Sequence, residues 1–117
     1  MKAGSIQRGS KPAIGQVWMA DRWWQRLRGL LLRAPLARDG SQALVIKPCA
    51  SVHTLGMTYP LDLVFLDAGQ RVCGVRQRVA PWRAAACRGA QAVVELHGGA
   101  LDALQPEIGE TWTWRPA

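Results

Sequence analysis

The run Leu61–Asp67 restricts the fold of this chain more than any other segment. Its large apolar residues fall on both faces of an extended chain, so that Leu63 and Val64 point to opposite sides, and Asp62 shares a face with Val64. A strand that is apolar on both faces must be covered on both sides. We therefore predict that Leu61–Asp67 is a central strand of a β-rich core.

Shorter patterns predict the remaining elements. A turn signal over residues 67–70 precedes Arg71–Val79, which is expected to return as the second strand of a hairpin. Further strands are expected at Ile14–Met19, Ala43–Cys49, Ala90–Leu96 and Thr111–Trp114. Apolar spacing over Arg22–Leu32 predicts a helix with Asp21 as its N-cap, and Ala100–Leu104 is expected to form a helical turn. Together these patterns predict a mainly β, α+β fold, built as a compact antiparallel sandwich or a small barrel.

The chain has 117 residues, which is about the length of one domain. Residues 1–12 hold little aliphatic surface and are predicted to form a flexible basic tail, ahead of a single β-rich domain at residues 13–117. No apolar run approaches the roughly 18 residues that a membrane-spanning helix needs. The N-terminal segment lacks the apolar centre of a signal peptide, so we expect a cytoplasmic location.

The chain carries a formal net charge of +7 and has a pI near 10.4. This balance favours acidic partners such as nucleic acid, acidic proteins or anionic surfaces. The basic residues are scattered along the chain, whereas nucleic-acid-binding proteins usually concentrate them on one element. A compositional bias toward arginine, alanine, glycine and tryptophan is the competing explanation of the charge, and the sequence leaves both open.

The three cysteines, Cys49, Cys73 and Cys87, are odd in number and include no CxxC pair. This pattern argues against a zinc finger, a thioredoxin-type site and a secreted disulfide framework. We therefore predict reduced, mostly buried thiols. The two histidines form no short-range ligand pair, so neither a metal site nor a cofactor is predicted.

Asp62 is the strongest candidate for a functional side chain, because a carboxylate beside an apolar core is costly unless it is paired or hydrogen-bonded. If the chain turns back across residues 56–59, His53 lies directly opposite Asp62 in the resulting hairpin. Such a pair could tune a general base or hold the imidazole as an anion receptor. The alternatives are a structural pair that anchors the hairpin and an arginine partner from the predicted helix, Arg28 or Arg33. Three side chains complete a predicted shallow ligand pocket around the pair: Thr54, Trp82 and Arg28.

Four landmarks follow one another in a fixed order: Gly29–Arg33, Pro60–Asp67, Val94–Leu96 with the glycine pair at 98–99, and Ile108–Glu110. Over roughly residues 14–114 this arrangement resembles the domain-of-unknown-function family 192, also called the UPF 0127 group. The resemblance implies a compact β-rich sandwich or barrel with short helices, and no established catalytic activity. The chain departs from the family pattern at His53–Met57, where the family often has an aromatic-Met-Lys-Asn-Thr stretch, and at Glu110, where it has aspartate.

Three functional hypotheses follow. The first is a non-enzymatic binding or accessory module that presents the pocket near His53 and Asp62 to an anionic small molecule, a glycan or a protein partner. The second is a small hydrolase-type enzyme that uses His53 as base and Asp62 as its orienting partner. The third is a basic nucleic-acid binder, whose affinity would fall steeply with salt. We prefer the first hypothesis, because the sequence contains no complete catalytic motif.

Overall fold

The computed structural model describes residues 1–30 and 33–117, without the side chains of Trp23, Leu27 and Arg28. The part of the chain that it describes contains nine strands and two short helices. In chain order these elements are β1 (Lys2–Arg8), β2 (Lys11–Ala20), α1 (Trp23–Arg28), β3 (Gln42–Ile46), β4 (Ser51–His53), β5 (Leu61–Leu66), β6 (Val72–Val79), β7 (Ala84–Ala86), β8 (Ala92–His97), α2 (Leu101–Leu104) and β9 (Trp112–Pro116).

Seven strands form one sheet in the order β6-β5-β8-β3-β2-β1-β9, while β4 and β7 form a second, two-stranded sheet. Neighbours in the large sheet run antiparallel, apart from the parallel pair of β2 and β3. The edge strands β6 and β9 meet at one end, where the Val72 N–H donates to the Glu110 carbonyl over 2.9 Å. The sheet therefore curls into a partly closed barrel. This confirms the predicted β-rich single domain with short helices, but the sheet is mixed rather than wholly antiparallel.

The predicted central strand is confirmed as β5. It lies between β6 and β8, and all six of its residues are buried. Alternation along β5 and β8 divides the buried side chains into two clusters. One fills the barrel and is called the inner core; it includes Val64, Leu66, Val94, Leu96 and Trp112. The other covers the opposite face of these strands and is called the outer core; it includes Leu30, Leu36, Leu44, Leu63 and Val93.

The N-terminal residues differ from the prediction of a flexible tail. Residues 2–8 form β1, which pairs with β2 on one side and with β9 on the other. Ile6 is 1% exposed within the inner core, whereas most of its neighbours in the strand face outward. β1 is held mainly by backbone hydrogen bonds, which leave no apolar pattern in the sequence. Because it buries only one aliphatic side chain, its composition resembles that of a flexible tail.

The first helix is shorter than the predicted segment Arg22–Leu32. It ends at Gly29, which adopts a φ of 52°, and residues 31–32 lie outside the described part of the chain. Asp21 does not cap it: the N-cap is Arg22, without a side-chain cap. The Asp21 carboxylate instead lies 2.7 Å from Lys2 Nζ, and this hydrogen-bonded ion pair holds the pKa of Asp21 below its usual value. Among the described residues, no helix is long and apolar enough to cross a membrane.

Candidate functional site

Asp62 is completely buried on the inner face of β5 and is held by backbone N–H groups. Its Oδ1 accepts a hydrogen bond from the Arg78 N–H over 2.8 Å, and its Oδ2 accepts from the N–H groups of Gly99 and Leu101 over 3.1 and 2.9 Å. Arg78 and Gly99 both have positive φ values, of 50° and 97°. The carboxylate thus connects β5 to Arg78 near the end of β6 and to the turn before α2. These three bonds support a structural role for Asp62.

His53 does not face Asp62. In the two-stranded sheet His53 of β4 pairs with Ala84 of β7, whereas Asp62 of β5 pairs with Leu96 of β8. The exposed imidazole accepts a hydrogen bond at Nδ1 from the Leu55 N–H over 3.3 Å. The predicted hairpin is wrong, because β4 takes its partner from β7 and not from β5.

The remaining predicted pocket residues occupy different environments. The buried Thr54 hydroxyl donates to the Ala80 carbonyl over 2.7 Å and accepts from the Arg83 N–H over 2.8 Å. The Trp82 N–H donates to the Thr54 carbonyl over 3.0 Å, while the Trp82 side chain is 64% exposed. The structure therefore brings Thr54 and Trp82 together and leaves Asp62 inside the barrel. The side chain of Arg28 lies outside the described part of the chain.

Thr54 is expected to act as a structural link. Thr54→Val keeps the shape of the side chain but removes both hydroxyl hydrogen bonds to residues 80 and 83. We expect the free energy of unfolding to fall by about 1 to 2 kcal/mol, measured by chemical denaturation. Thr58→Val at an exposed position nearby is the matched control and should change stability by less than about 0.5 kcal/mol. Equal effects of the two variants would contradict this role.

The second buried carboxyl belongs to Glu95, on the opposite face of the sheet. Glu95 lies in β8 between Leu44 of β3 and Leu63 of β5, both in the outer core. It is 3% exposed, and its Oε1 has no hydrogen-bond partner among the residues that the structure describes. Native proteins rarely leave a buried polar atom unsatisfied, so each case requires an explanation. Unlike both carboxylate oxygens of Asp62, Glu95 Oε1 is therefore buried without a hydrogen bond from the described residues.

Glu95 lies beneath the end of α1. A Cβ built onto Gly29, the residue that ends this helix, would be 3.7 Å from Glu95 Oε1. The helix also carries a second buried acceptor, Gln25 Oε1, to which no described residue donates a hydrogen bond. Two residues along β8, the ring of His97 stacks on Tyr59 with 4.6 Å between centroids and 11° between planes. The end of α1 and strand β8 thus bring together three features: the buried Glu95 carboxyl, the Gln25 amide oxygen, and the stacked rings of Tyr59 and His97.

Burial dominates the ionisation of this region. It raises the pKa of the Glu95 carboxyl from 4.5 to about 8, so Glu95 carries a proton at neutral pH. Burial also raises the pKa of Tyr59 and of Cys49, and the charge of ionised Glu95 raises both further. A protonated carboxyl offers both an O–H donor and a carbonyl acceptor. The site can therefore hydrogen-bond an incoming molecule while remaining uncharged.

In the sequence, Glu95 was noted only as part of the landmark Val94–Leu96. A signal was present, because a glutamate interrupts the apolar run Ala92–Leu96 in a predicted strand. The same cost argument that singled out Asp62 applies to it. Among the residues that the structure describes, no group of three or more His, Cys, Asp and Glu side chains could hold a metal ion.

Comparison with known proteins places these residues in a family context. The family model described as DUF192, Uncharacterized ACR, COG1430, matches residues 5–114. A UPF0127 protein of Thermococcus sibiricus is 35% identical over 107 residues, which cover 86% of this chain and 66% of that protein. A UPF0127 protein of Pyrococcus furiosus is 32% identical over 112 residues, which cover 94% of this chain and 95% of that protein. The chain thus spans just under two thirds of the length of the Thermococcus relative.

A solved structure supports the same fold. The crystal structure of a protein of unknown function from Novosphingobium aromaticivorans superposes with a TM-score of 0.79. The superposition covers 96% of this chain and 85% of that chain, at 20% sequence identity. At this identity the likeness extends to the fold alone.

Proposed function

Since the chain belongs to the DUF192 family, which is described as uncharacterised, we propose its function from its own residues: it is a non-enzymatic module that binds a small anionic molecule at Glu95. The site moves from the pocket predicted around His53 and Asp62 to the outer face of β8. The observation that carries the proposal is the buried Glu95 Oε1, which has no hydrogen-bond partner within residues 1–30 and 33–117 as the structure describes them. A ligand that hydrogen-bonds to this carboxyl would satisfy it and offset part of its desolvation.

The protonation of Glu95 favours an anion over a cation. With a pKa of about 8, the carboxyl presents an O–H donor at neutral pH, and a donor stabilises a carboxylate, sulfonate or phosphate oxygen. The net charge of +7 adds a favourable long-range field for the same class of ligand. An ionised Glu95 would repel the anion, so proton loss from this residue should end binding.

The surroundings favour an anion with an apolar body. A cleft of about 380 Å³ is lined by Trp18, Leu30, Leu36 and Leu44, with Arg33 also on its wall. Leu44 pairs with Glu95 across β3 and β8. Glu95 therefore lies one residue behind the wall of the cleft and does not line it. An apolar cleft with few polar groups is typical of small-molecule sites. We therefore propose an amphipathic organic anion.

Anilinonaphthalenesulfonate, a fluorescent amphipathic anion, is a suitable probe because its sulfonate stays ionised throughout the accessible pH range. We expect saturable binding to the full chain near pH 6.5. The affinity should be at least about tenfold lower near pH 9.5, because ionisation of Glu95 opposes binding. Octanoate should displace the probe, and octyl glucoside, a neutral glycan analogue with the same tail, should not.

Two variants separate the site from the rest of the surface. Glu95→Met should lose at least about tenfold in affinity and all of the pH dependence between these values. Glu107→Met removes a carboxyl from an exposed position and should bind as the unchanged chain does. A probe affinity that changes neither with pH nor with the Glu95→Met substitution would contradict the proposed site. Displacement of the probe by octyl glucoside but not by octanoate would indicate a glycan ligand in place of an anion.

The other hypotheses have weaker support in the geometry. The hydrolase hypothesis needs His53 beside Asp62, whereas these residues belong to separate sheets and Asp62 bonds to three backbone N–H groups. The nucleic-acid hypothesis needs one continuous basic face, and two of the arginines are engaged locally. Arg8 pairs with Glu110 at 2.9 Å and Arg78 with Asp102 at 2.5 Å.

A further inference from the structure

Two of the three cysteines meet at the edge of the large sheet. Cys73 in β6 and Cys87, which follows β7, have their Sγ atoms 3.8 Å apart. Both thiols are free and half-buried. The Cys87 Sγ also lies 3.6 Å from the Cys73 carbonyl oxygen, so the whole side chain rests against the backbone of β6. Sequence spacing did not predict this pairing, because residues 73 and 87 come together only through the fold.

Gly74 provides the space for this contact. A Cβ built onto Gly74 would lie 2.7 Å from Cys87 Sγ, a distance too short for any side chain. The neighbouring Cys87 therefore occupies the volume that a side chain at residue 74 would fill. The two sulfurs would need to move only roughly 2 Å closer to reach disulfide bonding distance.

We propose that Cys73 and Cys87 form a reversible disulfide when the protein meets a low-molecular-weight disulfide of the glutathione class. The proposal is independent of the Glu95 site, and it assigns a modification site to a pair of thiols that the binding function does not use.

The exchange proceeds in two balanced steps. The Cys87 thiolate attacks one sulfur of glutathione disulfide, breaks its S–S bond and releases one glutathione thiolate. The Cys73 thiolate then attacks Cys87 Sγ in the mixed disulfide and displaces the second glutathione. The two cysteines lose two electrons, glutathione disulfide gains them, and the two thiol protons end on the two glutathione molecules.

The second step depends on the ionisation of Cys73. Burial, the main cause that remains once Cys87 is in the mixed disulfide, raises the pKa of Cys73. Only the thiolate attacks, so the oxidation should accelerate as the pH rises above neutrality.

The bond would clamp one segment of the fold. Residues 80–87 leave the large sheet, contact Thr54 through Trp82 and Arg83, and form β7 of the small sheet. Oxidation would fix the end of this segment to the start of β6. The closed loop restricts the unfolded chain, so the oxidised protein should unfold at a higher temperature, by about 5 °C or more.

Tryptic mapping tests the proposal directly, because trypsin releases each cysteine in a separate peptide and those of Cys73 and Cys87 are short. Cleavage after arginine yields Val72–Arg76 and Ala84–Arg88, with Cys49 in a third peptide. The folded chain is incubated with glutathione disulfide and then alkylated. We expect a loss of two hydrogens from the intact mass before alkylation, a crosslinked pair of the two short peptides, alkylation at Cys49, and complete reversal of the crosslink by dithiothreitol.

Single substitutions supply the controls. Cys49→Ser should oxidise and gain thermal stability as the unchanged chain does. Cys87→Ser and Cys73→Ser should each lose both effects, and two variants are used so that a folding defect in one does not decide the result. Stable glutathione adducts on Cys73 or Cys87, or a crosslink that includes Cys49, would overturn the proposal.

Discussion

Glu95→Met is expected to raise the free energy of unfolding by about 3 kcal/mol at neutral pH, although most substitutions in a core destabilise. The Glu95 carboxyl is buried, and none of the described residues hydrogen-bonds to its Oε1. The folded chain must therefore keep it protonated at a pH where the unfolded chain releases the proton. Methionine has a similar shape, needs no hydrogen bonds and adds apolar surface to the outer core.

The gain should depend on pH in a defined direction. The pKa of Glu95 is about 8 in the folded chain, against an ordinary value of 4.5. Between these values the folded state binds one more proton than the unfolded state, so the stability of the unchanged protein falls as the pH rises. The difference in free energy of unfolding between Glu95→Met and the unchanged protein should thus be small below about pH 4.5, increase up to about pH 8 and then stay constant.

Chemical denaturation of both proteins across this pH range checks the expectation. Glu107→Met, at an exposed position, controls for the loss of one negative charge from a basic chain. A destabilised Glu95→Met variant, or a difference independent of pH, would mean that Glu95 has partners that stabilise it in the folded state. The combination of higher stability and lost ligand binding is the expected signature of a functional residue, since function often costs stability.

Asp62→Asn is expected to do the opposite and lower the free energy of unfolding by about 3 kcal/mol. The carboxylate accepts three backbone hydrogen bonds, one at Oδ1 and two at Oδ2. An asparagine has one acceptor oxygen, so its NH₂ group must face at least one N–H donor inside the barrel. That donor would be Arg78 if the amide oxygen keeps its bonds to Gly99 and Leu101.

Asp67→Asn is the matched control for this substitution. The Asp67 carboxylate also accepts backbone hydrogen bonds, from Gly69 and Arg71 over 2.9 and 3.0 Å, but at an exposed turn. Both bonds end on Oδ1, so the single amide oxygen of asparagine can keep them and the NH₂ group can face solvent. We therefore expect a loss below about 1 kcal/mol. Denaturation midpoints of the two variants give the comparison. Similar losses in both would contradict a special role for the interior network of Asp62.

Local patterns predicted the parts of the fold that bury regular apolar faces. The central strand β5 and its hairpin with β6 were predicted, since alternation and a turn signal are local properties. β1 was missed because its stability comes from pairing with β2 and β9, and β9 is distant in the sequence. The short strands β4 and β7 hold three residues each, which is too few for a pattern.

The candidate site was only partly predictable. The cost of burying Asp62 was correctly inferred, but its partners are backbone groups of residues 78, 99 and 101, which no side-chain pattern can identify. The prediction that His53 faces Asp62 assumed a hairpin between adjacent segments. Glu95 carried the same energetic signal, and only the positions of β3, β5 and α1 show that its Oε1 has no hydrogen-bond partner in the described part of the chain.

The most direct test of this account is an NMR titration of the Glu95 carboxyl carbon in the folded protein, with and without saturating octanoate. We predict titration near pH 8, as the pKa of about 8 requires, and a further upward shift with octanoate because the anion binds the protonated form. Titration near the ordinary value of 4.5, unaffected by octanoate, would contradict both the buried protonated carboxyl and the anion site built on it.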